Sequence, residues 1–484
     1  MTGHMTSDEF RRYGYQVVDW VASYWEEIEK YPVVPPVAAG DVAAALPGSA
    51  PERGEPFEAL LSDLDRVVMP GTTHWQHPSF FGYFPTSTSG PSALADLVAA
   101  GLGTQGMLWS TSPACTEVET VVLDWLRQLI GLPERFSPAG SGGGVIQDTA
   151  SSATLVATLA ALHRASGGRW NTDGLTDRYA VYASAEAHSS VQKAARIVGL
   201  GDAAVRHVEV DPKTLALRPD RLRERIAVDR AAGVVPAIVV ATVGTTSTTA
   251  IDPVPAIADV CAQQRIWLHV DAAYAGTAAI CPELRFTHVG VERADSYCFN
   301  PHKWLLVGFD CDAFWVADRA ELIRTLSVLP EYLRNAATES GAVIDYRDWQ
   351  VPLGRRFRAL KLWWVLRWYG IEGLREHVRR HVGLAQEFAG WVRADHRFEI
   401  VAPHPFALVC FRLRGRDGEP ERGADDRNAE LLRRLNETGA LFLTHTKARD
   451  RYVLRMAIGT VTTERHHVEA AWQRIQAEAT RLVS

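Results

Sequence analysis

Three segments of the sequence carry residue types that could act together on one ligand. HVDAAYAG at residues 269–276 places Asp271 at the end of an apolar run that is expected to be a buried strand. FNPHKW at 299–304 places Lys303 between a histidine and a tryptophan, directly after another such run. GGGVIQDTASSAT at 142–154 is rich in glycine and hydroxyl residues and is expected to enter a helix.

Each segment suits one part of a cofactor. A buried carboxylate needs a charged or hydrogen-bonding partner. A lysine that is withdrawn from water has a lowered pKa and can form a Schiff base. Free N–H groups and hydroxyls at a helix start bind phosphate. Pyridoxal phosphate requires these three features together, although each alone also fits a buried salt bridge, a surface lysine or an ordinary loop.

Other motifs match a functional pattern but have the wrong context. GLGTQG at 101–106 fits the GxGxxG pattern, but a helix rather than a strand is predicted before it, which indicates a glycine-rich turn. SVQK at 190–193 fits SxxK without the partner motifs of that chemistry. His377 and His381 are one helical turn apart, as metal ligands can be, but they lie among arginines. That context predicts a solvated helix face.

The elements that position these residues follow from apolar patterning. Short, continuously apolar runs predict strands that are buried on both faces, and helical segments separate several of them. This pattern favours an α/β fold with a mostly parallel sheet. The runs are Tyr179–Ala183, Ala237–Val243, Ile266–Val270, Ser296–Phe299 and Ala313–Val316.

Three units are predicted along the chain. Residues 1–89 form an arm with an aromatic helical stripe and the extended segment YPVVPPV, residues 90–360 form a large α/β domain, and residues 361–484 form a small α+β domain. The arm cannot bury its aromatic surface alone. We expect it to pack on a second subunit; the alternative is the main body of its own chain.

Composition narrows the function classes. The chain has 484 residues and a formal net charge of −6, which argues against a nucleic-acid binder. It has no apolar run of the roughly 18 residues that a membrane span needs. Six scattered cysteines without a CxxC pair indicate a reducing compartment, so a soluble, cytoplasmic protein is expected. The 15 tryptophans are a large number for the rarest kind of side chain.

The sequence resembles the group II pyridoxal-phosphate decarboxylases, most closely the aromatic-L-amino-acid decarboxylases. The resemblance runs nearly end to end and implies fold type I and a two-fold homodimer whose active site is shared between subunits. Its motifs are MPGTTHW at 69–75, YFPT at 83–86, SPACTEVE at 112–119, AHSS at 187–190, HVDAAYAG at 269–276, NPHKWLL at 300–306 and WQVPLGRRFRALK at 349–361.

The resemblance implies roles for individual residues. Lys303 would hold pyridoxal 5'-phosphate covalently, Asp271 would pair with its ring nitrogen, and His188 would stack over the ring. The loop from about 329 to 341 would carry Tyr332, which returns a proton to the α-carbon. The other cofactor positions would be Ala150, Ser151, Asn300 and His302 at the phosphate, Thr246 beside the ring, and Gly354 reaching in from the partner chain.

The same resemblance implies a pocket for an aromatic side chain. The implied activity is decarboxylation of tryptophan, tyrosine, phenylalanine or 3,4-dihydroxyphenylalanine to the amine. Gln105 and Met107, together with Asp148, Thr149 and Ser152 at the phosphate loop, depart from the animal pattern. The pocket residues would be Trp75, Tyr83, Phe84, Pro85, Thr86 and Phe309, with His188 and with Gln105, Met107 and Gly354 of the partner chain.

Two alternatives stay open. An aromatic acetaldehyde synthase of the same family oxidises its substrate and commonly replaces the loop tyrosine or the stacking histidine, whereas Tyr332 and His188 are present here. A catalytically silent scaffold subunit would be expected to lose the lysine or the aspartate, and Lys303 and Asp271 are intact.

Overall fold

The structure, a computed structural model, describes residues 4–328, 343–416 and 418–483. The strands are β1 Gly143–Gln147, β2 Tyr179–Ser184, β3 Val205–Val208, β4 Val235–Thr242, β5 Trp267–Asp271, β6 Ser296–Phe299, β7 Asp312–Val316, β8 Phe398–Ile400, β9 Leu408–Leu413, β10 Thr444–Ala448 and β11 Arg451–Ala457.

Helices surround these strands, and short 3-10 turns connect several elements. The α-helices are α1 Ser7–Glu26, α2 Asp41–Ala45, α3 Phe57–Asp63, α4 Gly90–Leu102, α5 Pro113–Ile130, α6 Ala150–Ala165, α7 Trp170–Asp173, α8 Ser190–Ile197, α9 Pro219–Ala231, α10 Val254–Gln264, α11 Pro301–Trp304, α12 Arg319–Leu326, α13 Arg358–Ala394, α14 Glu421–Glu437 and α15 Arg465–Val483. No helix within the described ranges has both the length and the apolarity needed to cross a membrane.

The larger sheet has seven strands in the order β1-β7-β6-β5-β4-β2-β3. Strand β7 runs antiparallel to both of its neighbours, and the remaining pairs are parallel. Strands β2, β5, β6 and β7 are buried along their whole length, as continuous apolar runs require. The predicted mostly parallel α/β sheet is confirmed, and all five predicted strands belong to it.

The glycine-rich segment differs from its prediction, because its glycines form a strand before the helix begins. Gly143 and Gly144 open β1, and α6 starts only at Ala150. A Cβ atom on Gly144 would lie 2.7 Å from Nε1 of Trp315, and one on Gly143 would lie 2.7 Å from the ring of Trp349. Glycine therefore lets two tryptophans pack directly on the strand backbone.

The topology brings the chemistry-bearing segments to one edge of the sheet. Strands β1, β5 and β6 point the same way, because β7 is antiparallel to both β1 and β6, and β5 is parallel to β6. Their carboxyl ends lead into Ala150 of α6, to Asp271, and to Lys303 of α11, respectively. Ligands of open α/β sheets bind at this edge.

A second, antiparallel sheet follows in the order β10-β11-β9-β8. Helix α13 leads into it and is kinked at Gly370, whose φ is +62°. The expected solvated face at His377 and His381 is wrong, because both side chains are buried. They face inward, and Nε1 of Trp304 donates a hydrogen bond to Nδ1 of His381 at 3.0 Å.

Helix α1 begins with a capping box between Thr6 and Glu9 and buries none of its own residues. Tyr13 stacks on Phe57 at 4.4 Å between ring centroids, whereas Phe10 stays 57% exposed. An aromatic helix with exposed rings needs a further surface to cover it. The division of the chain at residues 89 and 360 stays a prediction.

We expect Gly144→Ala to destabilise the protein by about 1–3 kcal/mol, because the added methyl group overpacks against the buried Trp315 ring. Gly48→Ala is the matched control, since a Cβ there meets no atom of a described residue within 4 Å. Urea unfolding of both variants checks the difference. Equal stability of the two variants would contradict the packing of Trp315 on β1.

Candidate active site

A cavity of about 210 Å³ opens at the carboxyl edge of the larger sheet. Its walls combine one lysine, one buried aspartate, the start of a helix and several aromatic rings. The predicted site residues that line it are Phe84, Ala150, Ser151, His188, Thr246, Asp271, Asn300, His302, Lys303 and Phe309.

Asp271 forms part of the cavity wall at the end of β5. Its side chain is 3% exposed, and its Oδ1 accepts a hydrogen bond from the backbone N–H of Ala273 at 2.9 Å. Thr242 is its register partner on β4 and also lines the cavity. The carboxylate is therefore held in one orientation and can pair with a cation that enters the cavity.

Lys303 lies in the short helix α11, directly after β6. Its backbone carbonyl accepts a hydrogen bond from the Ser87 hydroxyl at 3.0 Å, and its Nζ lies 5.4 Å from the ring centroid of Phe84. Burial lowers the pKa of the Lys303 ammonium, and the nearby Asp271 carboxylate opposes that shift. A lowered pKa increases the fraction of the neutral amine, which is the nucleophilic form.

His188 lies at the cavity mouth, where it is exposed in the single chain. Its Nδ1 accepts a hydrogen bond from the backbone N–H of Ser190 at 3.1 Å, so that nitrogen carries no proton and a neutral ring is protonated at Nε2. Partial burial lowers the pKa of His188, Asp271 raises it and Lys303 lowers it. The ring is thus held as a neutral imidazole with a fixed tautomer.

The start of α6 forms the anion-binding end of the cavity. Thr149 precedes the helix without a side-chain capping bond, and the N–H of Ala150 donates to Oδ1 of Asn300 at 3.1 Å. The Thr242 hydroxyl, on the strand beside Asp271, is buried without a hydrogen-bond partner among the described residues and also belongs to the cavity lining. A ligand that bears a phosphate and further polar atoms fits the cavity, because it offers acceptors to the start of α6 and a partner to this hydroxyl.

His302 is a neutral structural wall of the cavity. Its Nδ1 accepts a hydrogen bond from the backbone N–H of Cys311 at 2.9 Å, and its ring packs against Phe309 at 4.5 Å between centroids. Burial lowers the pKa of His302 to about 3. The ring therefore stays uncharged over the physiological pH range.

An aromatic stack supports the lysine from beneath. Phe84 stacks on Tyr274 at 4.0 Å, and Tyr274 stacks on Trp304 at 4.9 Å. Sequence reasoning missed Tyr274 as a wall residue, although HVDAAYAG contains it. It also missed Gly244, which lines the cavity with φ +84° and where a Cβ would lie 2.7 Å from Cβ of Ala275.

Several predicted residues lie away from this cavity. Trp75 stacks on Tyr83 at 5.4 Å, and Gln76 donates to the Thr86 carbonyl at 2.6 Å. Gln105 lies near Gly354, since the side chain of Gln105 accepts from the backbone N–H of Arg355. The carbonyl of Met107 accepts a hydrogen bond from the backbone N–H of Arg347 at 3.1 Å. The residues outside the cavity lining are Trp75, Tyr83, Pro85, Thr86, Gln105, Met107 and Gly354. Tyr332 lies outside the described residues.

Comparison with known proteins assigns the chain to a family. Residues 40–414 match the pyridoxal-dependent decarboxylase conserved domain. The chain belongs to the pyridoxal-dependent decarboxylase family. The predicted pyridoxal 5'-phosphate cofactor and carboxy-lyase chemistry are thereby confirmed, as is fold type I.

The relatives that match this chain over nearly its full length include an aldehyde synthase as well as decarboxylases. The chain is 47% identical to phenylacetaldehyde synthase of Arabidopsis thaliana, covering 99% of this chain and 97% of the relative. It is 46% identical to aromatic-L-amino-acid decarboxylase of Cavia porcellus, covering 98% of both chains. The solved structure of Oryza sativa TDC with PLP and tryptamine superposes with a TM-score of 0.97 at 44% identity, over 100% of both chains.

We expect Asn300→Ala to destabilise this decarboxylase by about 1–3 kcal/mol, because the variant leaves the Ala150 N–H unpaired. Cofactor binding should also weaken, because the variant removes a polar side chain that lines the cavity beside the start of α6. Asn171→Ala removes a side chain that donates to the carbonyl of Arg324 near the protein surface, and it serves as the control. Urea unfolding and pyridoxal-phosphate titration measure both variants. An unchanged cofactor affinity in Asn300→Ala would show that Asn300 does not contribute to phosphate binding.

Proposed function

We propose that the protein decarboxylates aromatic L-amino acids to the corresponding arylalkylamines and carbon dioxide. The observation that carries the proposal is the single cavity in which Lys303, Asp271, His188 and the uncapped start of α6 meet beneath aromatic walls. The names of the Cavia porcellus and Oryza sativa relatives support an aromatic substrate.

The chain's own residues would divide the work. Lys303 would hold the cofactor, Asp271 would keep a positive charge on its ring nitrogen, and Ala150, Ser151, Asn300 and His302 would surround the phosphate. When bound, pyridoxal phosphate supplies an electron sink for the bonds at the α-carbon of an amino acid. Asp271 strengthens that sink because its carboxylate is buried and fixed by Ala273.

His188 and Thr246 would set the geometry over and beside the ring. His188 is a flat, neutral side chain at the cavity mouth, which suits stacking on an aromatic ring. Thr246 lines the cavity, and its carbonyl accepts a hydrogen bond from Nη2 of Arg455 at 2.8 Å. That bond ties the loop after β4 to β11 and holds Thr246 in place.

Aromatic specificity would come from flat walls. Phe84 is fixed by its 4.0 Å stack on Tyr274, and Phe309 is held against His302. Trp75, Tyr83, Pro85 and Thr86 lie in the segment next to Phe84, from which they would form the outer lip. Flat, apolar walls favour aryl side chains over aliphatic or charged ones.

A homodimer would complete the site. Helices α4 and α5 leave large apolar side chains in solvent, and Trp368 on α13 is 74% exposed. Gln105 lies next to Gly354, and neither of these residues nor Met107 lines the cavity of its own chain. We infer that these residues enter the partner's cavity and that α1 packs on the partner. The exposed apolar residues of α4 and α5 are Leu94, Leu97, Val98, Leu102, Val121 and Trp125.

The cysteines suit a reducing compartment such as the cytoplasm. All six are free thiols in buried positions. Burial raises the pKa of the Cys311 thiol to about 12. Thiols that stay protonated and enclosed are inert packing residues rather than redox sites.

An aldehyde synthase is the second candidate, because the relative from Arabidopsis thaliana has that name at 47% identity. Such a reaction also consumes an oxidant and releases ammonia in place of the amine. We assign Tyr332 as the donor that returns a proton to the α-carbon, which favours amine formation. The presence of both Tyr332 and His188 supports the decarboxylase over the synthase.

We expect the wild-type protein to convert tryptophan, tyrosine, phenylalanine or 3,4-dihydroxyphenylalanine to amine with little aldehyde or ammonia. In Tyr332→Phe, amine output should fall at least about tenfold and aldehyde should rise, because the variant lacks the proton donor. Chromatography of amine and aldehyde, with an ammonia assay, measures the ratio. Tyr452→Phe, on the sheet of β8–β11, is the control.

Aldehyde as the main product of the wild type would replace the decarboxylase assignment with the synthase. Unchanged amine output in Tyr332→Phe would remove the role of Tyr332 but leave the reaction intact. The control variant shows whether any loss is specific to the loop tyrosine, since Tyr452 packs on His445 at 4.6 Å, away from the cavity lining.

Mixed dimers test the shared site. Lys303→Ala alone should be inactive, and Gly354→Val alone should be weak because it narrows the partner's pocket. Mixing the two variants should restore activity, since one of the two sites then has both Lys303 and Gly354. A Cβ at position 354 meets its nearest atom, Nε2 of Gln105, at 3.4 Å, so the valine variant should fold. Failure to complement would show that each chain builds its own site.

A further inference from the structure

Asp312 is a buried carboxyl group that the proposed reaction does not use. It opens β7, has 0% exposure, and neither of its carboxyl oxygens has a hydrogen-bond partner among the described residues. Other buried aspartates are satisfied: Asp252, for example, accepts from the backbone N–H groups of Leu217 and Thr242 at 2.7 and 2.8 Å. An ionised carboxylate without a partner is strongly unfavourable in the protein interior.

The strand register places Asp312 beneath the phosphate end of the cavity. Asp312 pairs with Gln147 of β1, and the next residue, Ala313, pairs with Phe299 of β6. Because side chains alternate along a strand, Asp312 shares its face with Phe314, which packs in the same apolar cluster as Ala150 at the start of α6. The carboxyl group therefore lies on the helix α6 side of the sheet.

The surrounding charges also disfavour a negative charge on Asp312. Burial raises the pKa of the Asp312 carboxyl well above its usual range, Asp271 and Asp148 raise it further, and Lys303 opposes them. Burial raises the pKa of the Cys298 thiol on β6 and of the Tyr297 phenol, and the charge of an ionised Asp312 would raise both further. An ionised Asp312 would thus be a further anion beside Asp271 and Asp148.

We propose that Asp312 is a positioning residue that stays a protonated carboxylic acid beneath the cavity. Asp271 is then the carboxylate that interacts electrostatically with Lys303. A neutral Asp312 avoids extra stabilisation of the Lys303 ammonium and keeps one negative charge away from the phosphate end. Lys303 can then lose its proton more readily and capture an aldehyde. The consequence for cofactor capture rests on the proposed role of Lys303, whereas the protonation of Asp312 does not.

Infrared spectroscopy tests the protonation directly. The wild-type holoenzyme at pH 7 should show the C=O stretching band of a buried carboxylic acid, and Asp312→Asn should lack it. The band should persist after removal of the cofactor, because burial rather than the ligand holds the proton. The proposal would be overturned if wild type showed no such band, or if the band were still present in Asp312→Asn.

Stability against pH gives a second readout on the full chain freed of cofactor. An aspartate in the unfolded chain ionises near pH 4, whereas native Asp312 keeps its proton, so stability falls as pH rises above that value. Asp312→Asn lacks this loss. Its unfolding constant relative to wild type should therefore drop by up to tenfold per pH unit above about pH 5.

Asp252→Asn is the comparison variant, because it removes one of the two carboxyl oxygens that each accept a backbone N–H and should destabilise the protein. Burial raises the pKa of Asp252 to about 6. The pH dependence of this variant relative to wild type should therefore end near pH 6, whereas that of Asp312→Asn should continue to higher pH. If Asp312→Asn does not fold, Asp312→Ser supplies a smaller neutral residue, and the wild-type infrared titration still decides. An unfolding-constant ratio that is independent of pH, or that favours wild type as pH rises, would overturn the proposal.

Cofactor capture separates this proposal from the proposed function. The rate at which cofactor-free protein captures pyridoxal phosphate should match between wild type and Asp312→Asn at pH 7. At alkaline pH values at which the infrared band has disappeared, the capture rate should decline in wild type but not in Asp312→Asn. Failure of capture in both proteins with the band present would reject Lys303 as the cofactor lysine and leave Asp312 protonated. A wild-type rate that stays equal to that of Asp312→Asn after the band disappears would overturn the positioning role.

Discussion

The structure depends on one pair of ionisable side chains, Lys303 and Asp271, at the end of a buried sheet. Water is largely excluded there, so the electrostatic interaction between the two groups is not screened by solvent. Burial lowers the pKa of the lysine, and Asp271 limits that shift. The balance leaves an amine that can react and a carboxylate that stays fixed by the N–H of Ala273. Both groups act only because the interior screens them weakly.

The rest of the fold supplies the conditions for that pair. Parallel strands bring β5, β6 and the start of α6 to one edge, so that lysine, carboxylate and phosphate end share a cavity of about 210 Å³. Beneath the lysine, the rings of Phe84, Tyr274 and Trp304 form a stack, and His381 accepts from the indole of Trp304. Rigid aromatic packing fixes the short helix α11, which residues 301–304 alone could not stabilise.

Sequence patterning predicted the elements whose signal is local. The strands that became β2, β4, β5, β6 and β7 are continuous apolar runs, and their burial follows from that pattern. Apolar patterning does not predict strand β1, because Gly143 and Gly144 have no side chains that could contribute to a hydrophobic pattern. The neighbouring arginines predict a solvated face for His377 and His381, whereas both side chains are buried and His381 accepts a hydrogen bond from Trp304. That contact joins residues far apart in the sequence, so local patterning does not show it.

The site was predictable in its chemistry more than in its geometry. Asp271 and Lys303 follow from residue types next to predicted strands, and the start of α6 follows from a glycine- and hydroxyl-rich segment before a helix. His188 and Thr246 required resemblance to a family. Nothing in the sequence marks Asp312 as unpaired, because its lack of a hydrogen-bond partner within the described part of the chain arises from how β7 pairs with β1 and β6. Tertiary contacts of this kind are invisible to periodicity.

The proposed chemistry depends on Lys303 as the residue that binds the cofactor. Borohydride reduction of the holoenzyme, followed by proteolysis and mass spectrometry, identifies that residue, because reduction makes the lysine–cofactor bond permanent. We expect a phosphopyridoxyl group on the peptide that contains Lys303. Its attachment to Lys193 or Lys361 instead, or to no lysine, would show that Lys303 is not the cofactor lysine.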